Sequence, residues 1–404
     1  MRFAFLALLF AACSPASPTE TKVPTSDPKS STSATAAPSF EDDVAFLRKH
    51  GAVTVLESPS GGRVAVSAKY QGRVMTSAVR ADGASLGWIH RAFIASGKTR
   101  TQFDNYGGED RFWLGPEGGQ FALYFAPGKP FDFNQWQTPA ALQEGEWEVK
   151  EATPQSVTFT RAMKLVNWSG TQFELTVERT VRVVASEPLL SGAPKAKWIA
   201  YETVNKVTNT GKSAWTKDTG LLSIWILGMF QPAPDAKIVV PFNKGAGGEI
   251  VNDRYFGKIA TERLRIDEAN GCVLLVADGK SRGKIGLSPA RATSALGSYS
   301  ASTKMLTLVR IVQPDPKNDY VDNMWEKRPD PFKGDALNAY NDGPTEPGKA
   351  SLGGFYELES SSPAMALAPG ASLTHTHATL HVEVDDEVRS LVSRSFPIPA
   401  TCLF

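Results

Sequence analysis

Residues 173–183 read Phe173-Glu174-Leu175-Thr176-Val177-Glu178-Arg179-Thr180-Val181-Arg182-Val183. Phe173, Leu175, Val177, Val181 and Val183 fall on one side of an extended chain, with Glu174, Thr176 and Glu178 on the other. Such alternation describes a strand with one face on a core and one in water, the usual state of an antiparallel sheet. The same period recurs along most of the chain. Val64, Val66 and Ala68 alternate with Arg63, Ala65 and Ser67, and Gln71-Gly72 turns the chain into a second strand over 74–79. Further strands are expected over 121–125, 147–151, 156–167, 197–208, 215–226, 238–241, 264–267, 272–277, 297–302 and 305–312, with a last hairpin over 354–360 and 373–384. No long helical period intervenes between Gly51 and Val384. The class is therefore all-β, antiparallel, with short flanking helices: one opened by the capping box Ser39-Phe40-Glu41-Asp42, the other over 386–394.

Charge excludes some partners. With 43 basic and 42 acidic side chains there is no electrostatic footprint for nucleic acid. The N-terminus points to a membrane instead. Met1-Arg2 and the apolar run 3–12 are too short to span a bilayer but fit a secretory signal. Leu9-Phe10-Ala11-Ala12-Cys13 resembles a bacterial lipobox, with Phe10 where Leu is usual, which implies lipidation at Cys13. Residues 14–38 are Ser, Thr, Pro, Ala and Lys with scarcely an apolar side chain, which makes them a tether. One folded domain over 39–404 is expected, held at the bacterial envelope, on the outer membrane. Cys272 and Cys402 are then the remaining thiols, and spacing does not decide whether they pair.

Two regions carry candidate chemistry. Residues 105–120, Asn-Tyr-Gly-Gly-Glu-Asp-Arg-Phe-Trp-Leu-Gly-Pro-Glu-Gly-Gly-Gln, are expected to form a shaped loop. Its Glu109, Arg111, Trp113 and Glu117 supply the stacking face, donors and acceptors that a polyhydroxylated ligand needs. In the last hairpin His375, His377 and His381 share one face, while Glu357 and Glu359 alternate with Tyr356 and Leu358 next door. If the two strands pair, imidazoles and carboxylates converge on one sheet face, as a general base with a hydrogen-bonding partner requires. A plain solvated face is the competing reading. His-x-His also offers two zinc ligands, but spacing identifies no third, so no metal and no cofactor is expected. The Pro-, Asp- and Asn-rich stretch 313–353 reads as a long ordered loop insertion bearing Trp325, Phe332 and Tyr340.

Three islands resemble the aldose 1-epimerase (galactose mutarotase-like) superfamily, including its hexose-6-phosphate epimerase branch. They are Gly107-Gly108 through Trp113-Leu114-Gly115-Pro116, then Val207-Thr208-Asn209-Thr210-Gly211, then Leu358-Glu359-Ser360 through Pro363, Leu367-Ala368-Pro369-Gly370 and His375-Thr376. Ala339-Tyr340-Asn341-Asp342-Gly343 is similar to the segment that precedes the last island. The chain is also similar to a group of uncharacterised bacterial lipoproteins carrying the same Gly-Gly-Glu-Asp-Arg-Phe-Trp loop. The resemblance implies a β-supersandwich with a sugar site on its concave face, and places Glu359 at the superfamily's catalytic base. The superfamily's two histidines are missing: Tyr106 stands before the Gly-Gly pair, and 221–223 holds none. Three functions stay open. The first is carbohydrate or glycan binding, with Arg111 and Trp113 positioning the sugar, Tyr340, Asn341 and Asp342 covering it, and Glu357, Glu359, His375 and His377 as floor. The second is an epimerase- or lyase-like enzyme with Glu359 as base and a nearby histidine, His375 or His377, or a tyrosine as acid. The third is a structural envelope lipoprotein. No protein partner is indicated.

Overall fold

The computed structural model describes residues 38–186, 189–192, 195–345, 348–396 and 398–404. The signal run, Cys13 and nearly all of the tether lie outside them. Residues 37–404 form one compact unit.

Strand Gln172–Val183 exists as expected, with Phe173, Leu175, Val177 and Val181 buried. It belongs to a ten-stranded sheet in which every pairing is antiparallel. The neighbour on one side is Ser156–Val166, and on the other Trp198–Asn209, which pairs in turn with Ser372–Glu383. A five-stranded sheet lies against it in the order Gly283–Leu287, Leu337–Asn341, Tyr356–Ser361, Ser223–Phe230, Arg111–Gly115. A small sheet of Thr54–Glu57, Arg63–Ser67 and Arg73–Ala78 completes the set. Helix Phe40–Arg48 starts with the expected capping box, the Ser39 hydroxyl accepting from the Asp42 N–H, and buries Phe40, Val44 and Leu47. Helix Asp386–Ser395 covers the outer face of the ten-stranded sheet, where Ala378, Leu380 and Val382 pack with Val388 and Leu391. Cys272 and Cys402 form a disulfide that fastens the C-terminal helix to that face.

Several expectations need correction, among them the strand over 215–226, which starts instead at Ser223 and runs to Phe230. The strands Tyr356–Ser361 and Ser372–Glu383 do not form a hairpin, because each belongs to a different sheet with both of its edges already paired. Residues 121–125 form no strand: the N–H groups of Ala122 and Leu123 donate to the nearby carbonyls of Gly119 and Pro116, and Phe125 makes only an isolated bridge with Trp136. The strand of that region is Arg111–Gly115, inside the expected loop, and the stretch 313–353 likewise contains a sheet strand, Leu337–Asn341. Gly107 and Gly108 enter with φ of 82° and 105°, and a Cβ on Gly107 would sit 2.2 Å from the Trp88 carbonyl oxygen, so only glycine fits there.

Between the sheets the core is not purely apolar. Arg179, on the inward face of Gln172–Val183, is wholly buried and donates to the Gly72 carbonyl at 2.9 Å, to Asn205 Oδ1 at 2.5 Å and to Asp110 Oδ1 at 2.6 Å. Asp110 also accepts from the Thr203 hydroxyl at 2.9 Å. Removing one partner strands the other charge out of water. Asp110→Ala is expected to lower the unfolding free energy by about 3–5 kcal/mol. Glu202→Ala, which breaks the exposed pair with Arg182, is expected to cost less than about 1 kcal/mol. Urea denaturation of the two variants checks the contrast.

Candidate functional site

Alternation within the five-stranded sheet decides which side chains meet. Phe112, Leu114, Ile226, Leu358 and Ser360 face the ten-stranded sheet. Arg111, Trp113, Trp225, Leu227, Lys284, Tyr340, Glu357 and Glu359 face away from it. Register lines these outward residues up across the strands: Lys284 beside Tyr340, Tyr340 beside Glu357, Glu357 beside Met229, and Trp225 beside Trp113. Over this face lies a cavity of about 490 Å³. Its floor includes Arg111, Trp113, Trp225, Lys284, Tyr340 and Glu357. Its walls come from connections, with Phe103, Glu117, Phe133, Trp136, Phe256, Arg282, Trp325 and Phe355 among them.

The walls are aromatic and ordered by one another. The rings of Trp136 and Trp325 stack with 6.2 Å between centroids, and Phe133, 45% exposed, also stacks with Trp136 at 6.3 Å. The Arg111 guanidinium lies 4.0 Å from the Trp113 ring and that of Arg282 lies 3.6 Å from Phe256, both cation–π contacts.

Two carboxyl groups of this face each meet a cationic side chain. Arg111 Nη2 donates to Glu357 Oε1 at 3.2 Å, and Lys284 Nζ to Glu359 Oε2 at 2.9 Å. Trp225 Nε1 also donates to Glu359 Oε2, at 2.9 Å, while Oε1 has no partner and the side chain is sealed from solvent. Burial pushes Glu357 up to about 8, outweighing the opposing charge of Arg111. Burial raises Glu117 as well, although Trp136 Nε1 donates to it at 3.0 Å. Lys284 loses by burial but gains more from the Glu359 and Glu117 carboxylates, and ends above the ordinary lysine value. The site therefore pairs a carboxyl that keeps its proton at neutral pH with a carboxylate locked to a lysine.

Of the candidates, Arg111, Trp113, Glu117, Tyr340 and Glu357 line the cavity, and Glu359 lies in the same face. His375 and His377 do not. They lie behind the sheet, where His375 Nε2 and His377 Nδ1 each contact Ser360 Oγ at 2.8 Å, because Ser360 faces inward while Glu357 and Glu359 face out. Burial holds these histidines down, at about 3 and about 4, so both are neutral and neither is placed to protonate a ligand. His381 is also inward, 3.5 Å from Glu109, which puts Glu109 between the sheets rather than in the cavity. Asn341 and Asp342 brace the wall without lining it. Asn341 donates to the Ser281 carbonyl, and Asp342 accepts from the Tyr340 hydroxyl at 2.8 Å and from the N–H groups of Gly353 and Gly354. Lys284 and Arg282 escape a reading by period because the strand Gly283–Leu287 is short and follows no clear alternation. Trp136 and Trp325 stand out as aromatics in polar connections, without a signal for what they face. Among the described residues no group of three or more His, Cys, Asp or Glu could hold a metal.

Glu357 binds its proton more tightly folded than unfolded. It therefore stabilises the fold below its ordinary value of 4.5, and that contribution is lost as pH rises towards about 8. Glu357→Gln is expected to remove this slope, of about 1 kcal/mol per pH unit. Urea midpoints at pH 5 and pH 8 for both proteins measure it.

Several solved structures are similar to this chain. A candidate aldose 1-epimerase from Escherichia coli K12 aligns at 13% identity over 82% of this chain and 100% of its own, with a TM-score of 0.49. A galactose mutarotase-like protein from Lactobacillus casei ATCC 334 aligns at 13% identity over 82% and 100%, with a TM-score of 0.46. An aldose epimerase homologue from C. elegans aligns at 10% identity over 83% and 100%, with a TM-score of 0.44. No curated protein matches the chain. The model of DUF6786, a family of unknown function, matches residues 38–397, and the chain belongs to that family.

Proposed function

We propose that this chain is a lipid-anchored envelope protein that binds a carbohydrate in the cavity of the five-stranded sheet. The observation that carries the reading is the cavity itself, about 490 Å³, lined by Trp113 and Trp225 on the floor and Trp136 and Trp325 in the walls, with ionisable groups among the rings. Apolar sugar faces stack on flat rings, and hydroxyls need fixed donors and acceptors beside them. The stretch 313–353 supplies part of the wall and leaves the space open, which argues against a purely structural role. Cys13 behind its apolar run supports anchoring at the outer membrane, and the Cys272–Cys402 disulfide suits an oxidising compartment.

One observation favours a second reading, an isomerase acting at the anomeric carbon. Two carboxyl groups stand on alternate residues of one strand, Glu357 with its proton affinity raised by burial and Glu359 held by Lys284 and Trp225 with one oxygen unpartnered, an arrangement that offers an acid beside a base. Glu359 would take the proton of the anomeric hydroxyl as the bond from C1 to the ring oxygen breaks. Glu357 would give its proton to that oxygen. Ring closure on the other face returns both protons and leaves the opposite anomer.

Proton NMR of the protein with aldoses, uronic acids and short glycans tests both. Saturation transfer to a sugar is expected, weakened about tenfold in Trp136→Ala by the loss of a stacking face. An absence of transfer across the panel would sink the binding reading. Faster exchange between anomer signals that vanishes in Glu359→Gln is the result expected of the isomerase, and binding without exchange removes it.

A further inference from the structure

Three side-chain nitrogens of the strand Arg111–Gly115, on residues that line the cavity, have nothing to donate to. Arg111 keeps 3% of its side-chain surface exposed and gives Nη2 to Glu357, yet its Nε and Nη1 have no acceptor. Trp113, on the alternate residue of the same strand and facing the same way, has its indole Nε1 buried without an acceptor. Both side chains line the cavity, and neither can turn from it without breaking the register that puts Phe112 and Leu114 into the core. A buried donor left unpaired is costly, and a buried cation more so. A ligand in the cavity lined by these side chains can bring the acceptors they lack.

The charge around them points the same way. Glu357 is the carboxyl paired with Arg111, and burial favours its protonated form, which leaves the guanidinium with little counter-charge. Lys284 is already matched by Glu359. Farther along the lining, Arg282 lies flat on Phe256, and its Nε is likewise buried without an acceptor. Sugar hydroxyls alone would accept hydrogen bonds but leave Arg111 uncompensated among aromatic rings. A planar carboxylate supplies acceptors and charge together and matches the flat guanidinium edge.

We propose that the cavity takes a sugar bearing its own anion, of the uronic-acid class, with the carboxylate seated on Arg111 and Trp113 and met by Arg282. This rests on the carbohydrate reading of the cavity. It makes the anionic group, rather than the pattern of hydroxyls, the main determinant of what binds.

Titration calorimetry on the full-length protein in detergent compares glucuronate and galacturonate with glucose and galactose, and with their 6-phosphates. The uronates are expected to bind at least tenfold more tightly than the matched neutral sugars, with that margin cut several-fold in Arg282→Gln. Arg111→Lys, which keeps a charge but loses the planar fork, is expected to reduce uronate affinity more than neutral-sugar affinity. Arg282 is half-buried at the wall, so its variant remains informative if the Arg111 variant fails to fold. Neutral sugars binding as tightly as uronates would overturn the proposal and leave the cavity a sugar site. Tighter binding of the 6-phosphates than of the uronates would overturn the carboxylate assignment. No binding by any of the three classes would overturn the carbohydrate reading itself.

Discussion

The buried pair between Arg179 and Asp110 is the constraint on which the rest of the molecule hangs. A guanidinium with no exposed surface has to spend its N–H groups on protein atoms, and here the acceptors come from separate parts of the fold. Gly72 belongs to the turn of the small sheet, Asn205 to the ten-stranded sheet, and Asp110 to the entry of the first strand of the five-stranded sheet. Fixing Asp110 inward fixes the phase of the strand Arg111–Gly115. Phe112 and Leu114 must then go into the core, and Arg111 and Trp113 must face the cavity. A core ion pair thus sets the orientation of a site it never touches.

The strand Tyr356–Ser361 applies the same logic a second time. Its inward residues Tyr356 and Ser360 hydrogen-bond Ser298 and the two histidines, while its outward residues Glu357 and Glu359 hold Arg111 and Lys284. The polar groups of the two faces are separated only by the thickness of one sheet, yet they do different work. Neutral histidines suit a dry layer where a charge would be expensive, while the Lys284–Glu359 ion pair and the Arg111–Glu357 hydrogen bond lie on the face that bears the cavity.

Much of this is legible in the residues alone. The alternation of 173–183, the helix opened by Ser39 and the strands from 156 to 208 follow from period and capping. Arg111, Trp113 and the two glutamates stand out as site residues because special side chains crowd into short stretches. Partnership is what the pattern does not carry. Alternation gives each strand two faces but not a neighbour, so two strands close in sequence read as a hairpin although they lie in opposed sheets, and the histidines then fall on the wrong side with them. Arg179 sits in plain view within a row of apolar residues, and it is the exception in that row that carries the information. Lys284 leaves no trace, since Gly283–Leu287 has too short and too glycine-rich a pattern to announce a strand.

The floor of the cavity has a consequence for how the molecule comes into being. Arg111 and Glu357 are 246 residues apart along the chain, and Trp225 and Glu359 are 134 apart. No stretch of the protein carries a portion of the site that works before the remainder arrives. Closing such distant pairings is entropically expensive and late, which places this chain among slow folders with high contact order. A chain that leaves the ribosome N-terminus first has no binding capacity until Tyr356–Ser361 has found its place between its two neighbours. A binding signal from this cavity would therefore report that strands far apart in the chain have been joined.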